Sequence, residues 1–310
     1  MLDVIIALLP TALASVWFFG IQAAALITVA VLSAVLSEWV YQRLAQQKST
    51  ICDLSAVVTG LLLSFNLPAN APAWLAVIGS VLAIVLVKQI FGGIGQNFIN
   101  PALAARTILM LSWTGLMAAT AVPQGGFLFG LQEKAVDVLA SATPLAGGVT
   151  AYSIRDLFVG NVPGMLGETC KVTLLLGGMY LLVRQVIDWR IPVFFLGSSF
   201  LLFWIQTGCI YSAQSGSQNA LYQLLSGGLI LGAIFMATDY VTSPLTKWGR
   251  ALMGAGCGVL LFVIRAFSVS YPEGCSFAIL FMNALTPLID KWTLRKAFGI
   301  SKKPTVRNAR

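Results

Sequence analysis

Apolar residues run along this chain in long unbroken blocks, and polar residues gather in the short gaps between them. A soluble amphipathic helix would show an apolar stripe at every third or fourth position, whereas a bilayer-crossing helix needs about 20 apolar residues in a row. Blocks of that kind occupy 4–19, 21–42, 51–67, 71–91, 99–122, 165–187, 191–206, 221–237, 248–265 and 277–289. They predict an all-α polytopic membrane protein of about ten transmembrane helices, some of them broken, forming a single transmembrane domain over 1–310. The first block contains Pro10 and is expected to be a broken or re-entrant piece.

The interruptions recur in the two halves. The first half has an apolar run at 60–65 ending at Leu67-Pro68, then a Gly-rich stretch, then Asn100-Pro101. The second has an apolar run at 232–235, a polar break from Asp239 to Pro244, then Glu273-Gly274 and Asn283 to Pro287. Paired breaks in two halves suggest an inverted repeat of the kind found in transporters.

Composition agrees with the pattern. Hydrophobic residues make up 58% of the 310 positions and charged residues 10%, against about 25% charged in a soluble domain. Seven of the 19 basic residues lie at the C-terminal end: Lys291, Arg295, Lys296, Lys302, Lys303, Arg307 and Arg310. Basic segments stay on the cytoplasmic side, so 291–310 is expected to be a cytoplasmic tail near anionic lipid head groups rather than a nucleic-acid arm. Arg43 with Lys48, and Lys247 with Arg250, mark two further cytoplasmic loops. The long segment 123–164 sets Lys134 and Arg155 against Glu133, Asp137 and Asp156, lacks a positive bias, and reads as an external loop. The N-terminus starts apolar, with Asp3 as its early charge, and is expected to remain as the first helix or half-helix. Five scattered cysteines without CxxC spacing argue against a disulfide framework or a zinc site, and the absence of histidine excludes His-based catalysis and haem ligation by His.

Three constellations carry candidate chemistry. The run 92–102 (Gly92, Gly93, Gly95, Asn97, Asn100) brings Gly, which lets backbone approach a ligand, together with Asn, which donates and accepts hydrogen bonds. Unwound backbone at membrane depth is tolerated where it lines a cavity or is buried in protein. Four acids, Asp53, Glu168, Asp239 and Glu273, stand at the edges of apolar spans. A carboxylate there is paired, wet or functional, which makes them ion-pathway candidates, with helix capping as the plain alternative, above all for Asp53 ahead of Ser55. The third, Ser141-Ala142-Thr143-Pro144-Leu145, is by itself a turn of small residues.

Together these segments point to a family. Ala7-Leu8-Leu9-Pro10, the run from Asp53 to Leu63, the 92–102 run, Ser141 to Leu145, Gly167-Glu168-Thr169, Ala237 to Pro244 and Glu273 to Asp290 stand in order over nearly the whole chain. The ordered set resembles the D subunits of Rnf complexes and their homologues, the B subunits of sodium-pumping NADH:quinone reductases. The resemblance implies a urea-transporter-like fold in the inner (cytoplasmic) membrane of a prokaryote. It implies FMN joined through its phosphate to the hydroxyl of Thr143 in the external loop, by a separate flavin transferase. Ala140 and Ser141 depart from the family's usual residues there, yet both stay small, and Ala142 completes the turn. It further implies a non-covalent riboflavin within the membrane part, for which the 92–100 run is the candidate wall. Partners would be the other membrane subunits of one complex, including a second flavin-bearing one. The complex passes electrons between ferredoxin and NAD, coupled to sodium or proton movement. Leu54 stands where the family often has Gly, and Cys170 where Ser is usual. The alternative reading of the residues is a solute channel or secondary transporter without a redox cofactor, which would have no use for an exposed acceptor threonine.

Overall fold

The computed structural model describes residues 1–121, 123, 153–210, 219–268 and 273–294. Among these, regular structure is helical, apart from two isolated antiparallel bridges, and each of the ten apolar blocks contains a helix. Among the described residues, four helices are long and apolar enough to cross a membrane: α1 (Leu2–Phe19), α2 (Ile21–Leu44) and, in the second half, Arg190–Thr207 and Lys247–Phe267. With the shorter apolar helices between them they form a polytopic membrane protein.

Pro10 does not break α1, which is continuous over 18 residues. Proline removes one intrahelical donor and leaves the carbonyl of Ile6 without its usual partner. A single such loss is tolerated where neighbouring helices support the backbone. That support is close. Ala7 is buried against α8 (Lys171–Val183), where a Cβ added to Gly177 would collide with the Ala7 carbonyl oxygen.

After a short 3₁₀ turn, α3 (Ser55–Phe65) ends early because its own residues cap it. The Asn66 amide donates back to the Leu62 carbonyl at 2.6 Å, and Pro68 follows. The chain then enters α4 (Ala73–Val81), which widens without a break into a π-helix over Leu82–Gln89. Next come α5 (Pro101–Ser112) and α6 (Thr114–Ala118). A short helix α7 (Ile154–Val159) lies inside the segment expected to be loop.

After α8 come α9 (Arg190–Thr207), the short pieces α10 (Ala220–Leu225) and α11 (Leu229–Leu231), and a π-helix over Gly232–Met236. The long α12 (Lys247–Phe267) and α13 (Cys275–Thr293) follow. α9 and α12 meet backbone to backbone. A Cβ on Gly254 would sit 2.6 Å from the Ile191 carbonyl, and one on Gly258 2.8 Å from the Phe195 carbonyl. Small residues at a four-residue interval are how membrane helices gain close packing without a hydrophobic drive.

The broken helices cross-link the halves reciprocally. α3 of the first half ends at Asn66, which Arg106 ties to Ser276 at the start of α13. The π-helix of the second half ends at Met236, whose carbonyl is bonded by Asn100 at the start of α5. The broken helix of each half is thereby tied to a helix of the other half. Leu8, Leu63, Phe65, Leu103, Phe195 and Ile279, drawn from both halves, fill the apolar core around the crossing. Leu13, Trp17, Leu32, Leu36, Leu252 and Val259 stay exposed on the long helices, as a lipid-facing surface requires.

Candidate functional site

Two polar centres lie inside the bundle. The first is a cavity of about 250 Å³ at the end of the molecule that carries Met1, the start of α3 and the loop between α8 and α9. The Gly/Asn run forms one side of it. Gly92, Gly93 and Gly95 all have left-handed φ values of 113°, 94° and 86°, a conformation that side chains disfavour. These glycines supply the turn, while Ile94, Asn97 and Asn100 from the same run line the cavity. Phe91 and Phe98 close the loop with an edge-to-face contact at 5.0 Å.

Asn100 is largely committed to the fold. Its Oδ1 accepts from the backbone N–H groups of Ala102 at 3.0 Å and Leu103 at 3.2 Å. With Pro101 at the first helical position it forms a strong N-cap for α5. Asn97 is less engaged, donating to the Ile99 carbonyl at 3.1 Å. Across the cavity stands Asp239, in the turn after the second π-helix, with the Thr242 hydroxyl donating to it at 3.5 Å. Asp239 has no ion-pair partner among the described residues. Val58, Leu62, Ile187 and Phe235 make the cavity's apolar walls.

Behind this cavity is a pair that the pattern of apolar blocks does not single out. Lys88, on the first π-helix, is 3% exposed and lines the cavity; Glu38, on α2, is fully buried. The Lys88 ammonium donates to Glu38 Oε1 at 2.9 Å and to the Ser55 hydroxyl at 2.6 Å. The same carboxylate oxygen also accepts from Gln89 at 2.7 Å. The available signal was a lone Lys and a lone Glu inside blocks otherwise apolar; such charges are costly in a membrane and mark function by default.

The second centre is built around Arg106. Residues Met165 to Gly167 run along the end of α3: Leu166 N–H donates to Leu67 and Gly167 N–H to Phe65, both at 3.0 Å. This places Glu168 next to Arg106 on α5, at 3.3 Å. Arg106 also pairs with Glu273 and donates to Asn66 at 2.9 Å and Ser276 at 3.0 Å. Lys171 donates to the carbonyls of Glu168 and Gly227, and Arg265 to those of Gln223 and Ser226. Arg106, Glu168 and Lys171 are all buried to within 3%. Arg106 carries the same signal as Lys88, a lone charge inside an apolar block, whereas Lys171 shares its block with Glu168 and Arg184.

The four acids thus separate. Glu168 and Glu273 meet at Arg106, Asp239 joins the Asn97 cavity, and Asp53 stands apart. Asp53 does not cap α3: its carboxylate makes no capping bond, and its buried Oδ1 has no hydrogen-bond partner. The capping position falls to Leu54, which adopts a left-handed conformation with φ 60°; glycine would take it without strain. Among the described residues no group of three or more His, Cys, Asp or Glu side chains could hold a metal ion. Ser141, Ala142 and Thr143 lie outside the described residues, as does the basic tail beyond Leu294.

A family model for the NQR2, RnfD, RnfE family matches residues 1–299. The chain belongs to this family. It is 46% identical, over 97% of its length and 91% of the relative's, to the D subunit of the Na(+)-translocating ferredoxin:NAD(+) oxidoreductase complex of Acetobacterium woodii. It is 38% identical, over 96% of its length and 91% of the relative's, to the D subunit of the proton-translocating ferredoxin:NAD(+) oxidoreductase complex of Clostridium ljungdahlii. It is 39% identical, over its whole length and 92% of the relative's, to the D subunit of the ion-translocating oxidoreductase complex of Stutzerimonas stutzeri. Relatives of similar identity thus carry names with different coupling ions, so membership in this family does not by itself select sodium or protons.

Proposed function

We propose that this chain is the flavin-carrying membrane subunit of an ion-translocating ferredoxin:NAD oxidoreductase complex, moving electrons between the ferredoxin and NAD branches. The observation that carries the reading is the likeness over 97% of the chain to a subunit of that complex. The Ser141 to Leu145 segment supplies the acceptor hydroxyl of Thr143 for a phosphoester-linked FMN on a turn of small residues. A flavin transferase would make the bond, and the other membrane subunits, one of them flavin-bearing, would be its electron partners.

The cavity suits a second, non-covalent flavin such as riboflavin. It has apolar walls for a flat ring and, at its edges, the polar groups of Asn97, Asp239 and Lys88, the usual make-up of a cofactor pocket. A bound flavin would supply the electron-accepting ring. The residues of this chain would hold it, with Val58 and Phe235 as apolar wall, the Asn97 carboxamide as a polar contact, and α3 and α5 excluding water. The buried Arg106, Glu168 and Glu273 cluster, and Asp239, which has no ion-pair partner among the described residues, are the candidates for moving a cation or proton.

The orientation that supports this function places the cavity toward the cytoplasm. Arg43, Lys48, Arg184, Arg190, Lys247, Arg250 and Lys291 belong to the helix ends and loops on the cavity side, and cationic loops stay inside. The 123–164 loop, with Thr143, is then external and the C-terminus internal.

The deciding experiment is mass spectrometry of the denatured chain after co-expression with its partners and the transferase, wild type against Thr143→Val. An added FMN mass on the wild type that disappears in the variant is expected. No added mass on either removes the main support for electron transfer, and solute flux in liposomes then tests the channel reading that the broken, paired helices would also serve.

A further inference from the structure

We propose that Lys88 is the group that sets the charge preference of the cavity, stabilising a cofactor there when it becomes negative on reduction. This rests on the reading of the cavity as a flavin site. A lysine buried to 3% in a membrane helix is costly unless its charge is used. Pairing with Glu38 meets part of that cost, but the geometry of the pair is lopsided. Glu38 is held by donors from several sides, all on one oxygen: Lys88, Gln89 at 2.7 Å and Thr50 at 3.2 Å reach its Oε1, while its buried Oε2 has no hydrogen-bond partner among the described residues. Lys88 makes two bonds, to Glu38 and to Ser55, and an ammonium has three protons to give. Lys88 and Ser55 both line the cavity, whereas Glu38 does not.

The Ser55 hydroxyl extends the same field. It accepts from Lys88 at 2.6 Å, which leaves its own proton available toward the cavity. The π-helix over Leu82–Gln89 carries Lys88 to the cavity on the last turn before the glycine run; widened turns of this kind recur at functional sites. The cavity therefore has a cationic donor wall at Lys88 and Ser55 and a separate anionic group at Asp239. Charge placed beside a flavin ring is one of the ways a protein tunes its redox balance. Lys88 is thus a positioning and tuning group; electrons enter from the complex's own reductant, and no bond to Lys88 forms or breaks.

The test uses the full chain in lipid nanodiscs, with Thr143→Val to remove covalent FMN and riboflavin as the probe. Bound riboflavin is quantified after denaturation, and its reduction is followed by absorbance against mediators of known potential. Removing a charge-assisted donor is expected to lower the preference for the reduced over the oxidised form roughly tenfold in Lys88→Met. That is a drop of about 30 mV for a two-electron couple. Lys88→Arg should stay near the wild-type value. Lys88→Met leaves Glu38 buried without its cation, so Lys88→Met/Glu38→Gln is measured beside it, with the same direction expected. If riboflavin binds and its potential is unchanged in both Met variants, Lys88 has no tuning role and the proposal is overturned while the flavin site stands. If the chain with Lys88 intact retains no riboflavin, the flavin reading of the cavity fails and this proposal fails with it.

Discussion

The Asn100 side chain donates to the carbonyl oxygen of Met236 at 3.2 Å, joining residues 136 positions apart. One amide thereby caps α5 with its oxygen and ties down the end of the opposite half's π-helix with its nitrogen. Asn100→Ala should lose both functions; the cap alone is worth about 1 kcal/mol. Asn100→Ser keeps an acceptor for the cap but is too short to reach Met236, and should fall between. Thermal unfolding of the three chains in one detergent checks the order, and equal midpoints for Ala and wild type would show that the bond carries no stability.

Arg106 is the shared cation of Glu168 and Glu273. Arg106→Met removes it and leaves two buried carboxylates facing each other, a change that costs about 3–5 kcal/mol in comparable buried pairs. The expected result is a sharp loss of folded protein after membrane extraction. Adding Glu273→Gln should recover part of it, because one of the two stranded charges is gone. A double variant no better than the single one would place the loss in the hydrogen bonds to Asn66 and Ser276 instead.

Asp239 lines the cavity without an ion-pair partner among the described residues, so its charge is free to respond to an arriving cation or proton. Asp239→Asn should impair ion transport by the reconstituted complex at least severalfold while covalent flavin attachment stays normal. The measurement is ion uptake into proteoliposomes set against flavin content from the same preparation. Normal coupling would make Asp239 a structural residue of the turn.

Asp188 lies in the loop between α8 and α9. Burial pushes its carboxyl up, but the Arg190 backbone N–H, the Arg250 guanidinium at 2.8 Å and the Arg190 guanidinium together hold it below its ordinary value of 3.8. A carboxyl depressed in the folded state adds stability that is complete above its unfolded value and lost as pH falls through the folded one. Stability should therefore drop below about pH 4, and Asp188→Asn should flatten that part of the profile. Unfolding midpoints of the solubilised chain between pH 3 and pH 6 read this directly; parallel profiles for the two chains would rule out a contribution from Asp188.

Much of this protein was decided locally and could be read in the chain. Membrane spans depend on runs of apolar side chains, and the blocks from 4–19 to 277–289 each hold a helix because lipid forces the backbone to satisfy its own hydrogen bonds. The glycines at 92, 93 and 95 were legible as a special turn because glycine takes the positive φ found there without strain. The order of short motifs identified the family. Other features depended on distance in three dimensions, which the sequence does not express. Nothing local to Arg106 shows that α5 carries it between Glu168 and Glu273, or that Asn100 meets Met236. Glu38 and Lys88 are 50 positions apart, and each alone looks like a stray charge in a greasy helix. Only the packing of α2 against the π-helix makes them a pair, because a buried charge is tolerated where the fold supplies a partner, and partners are chosen by tertiary contact.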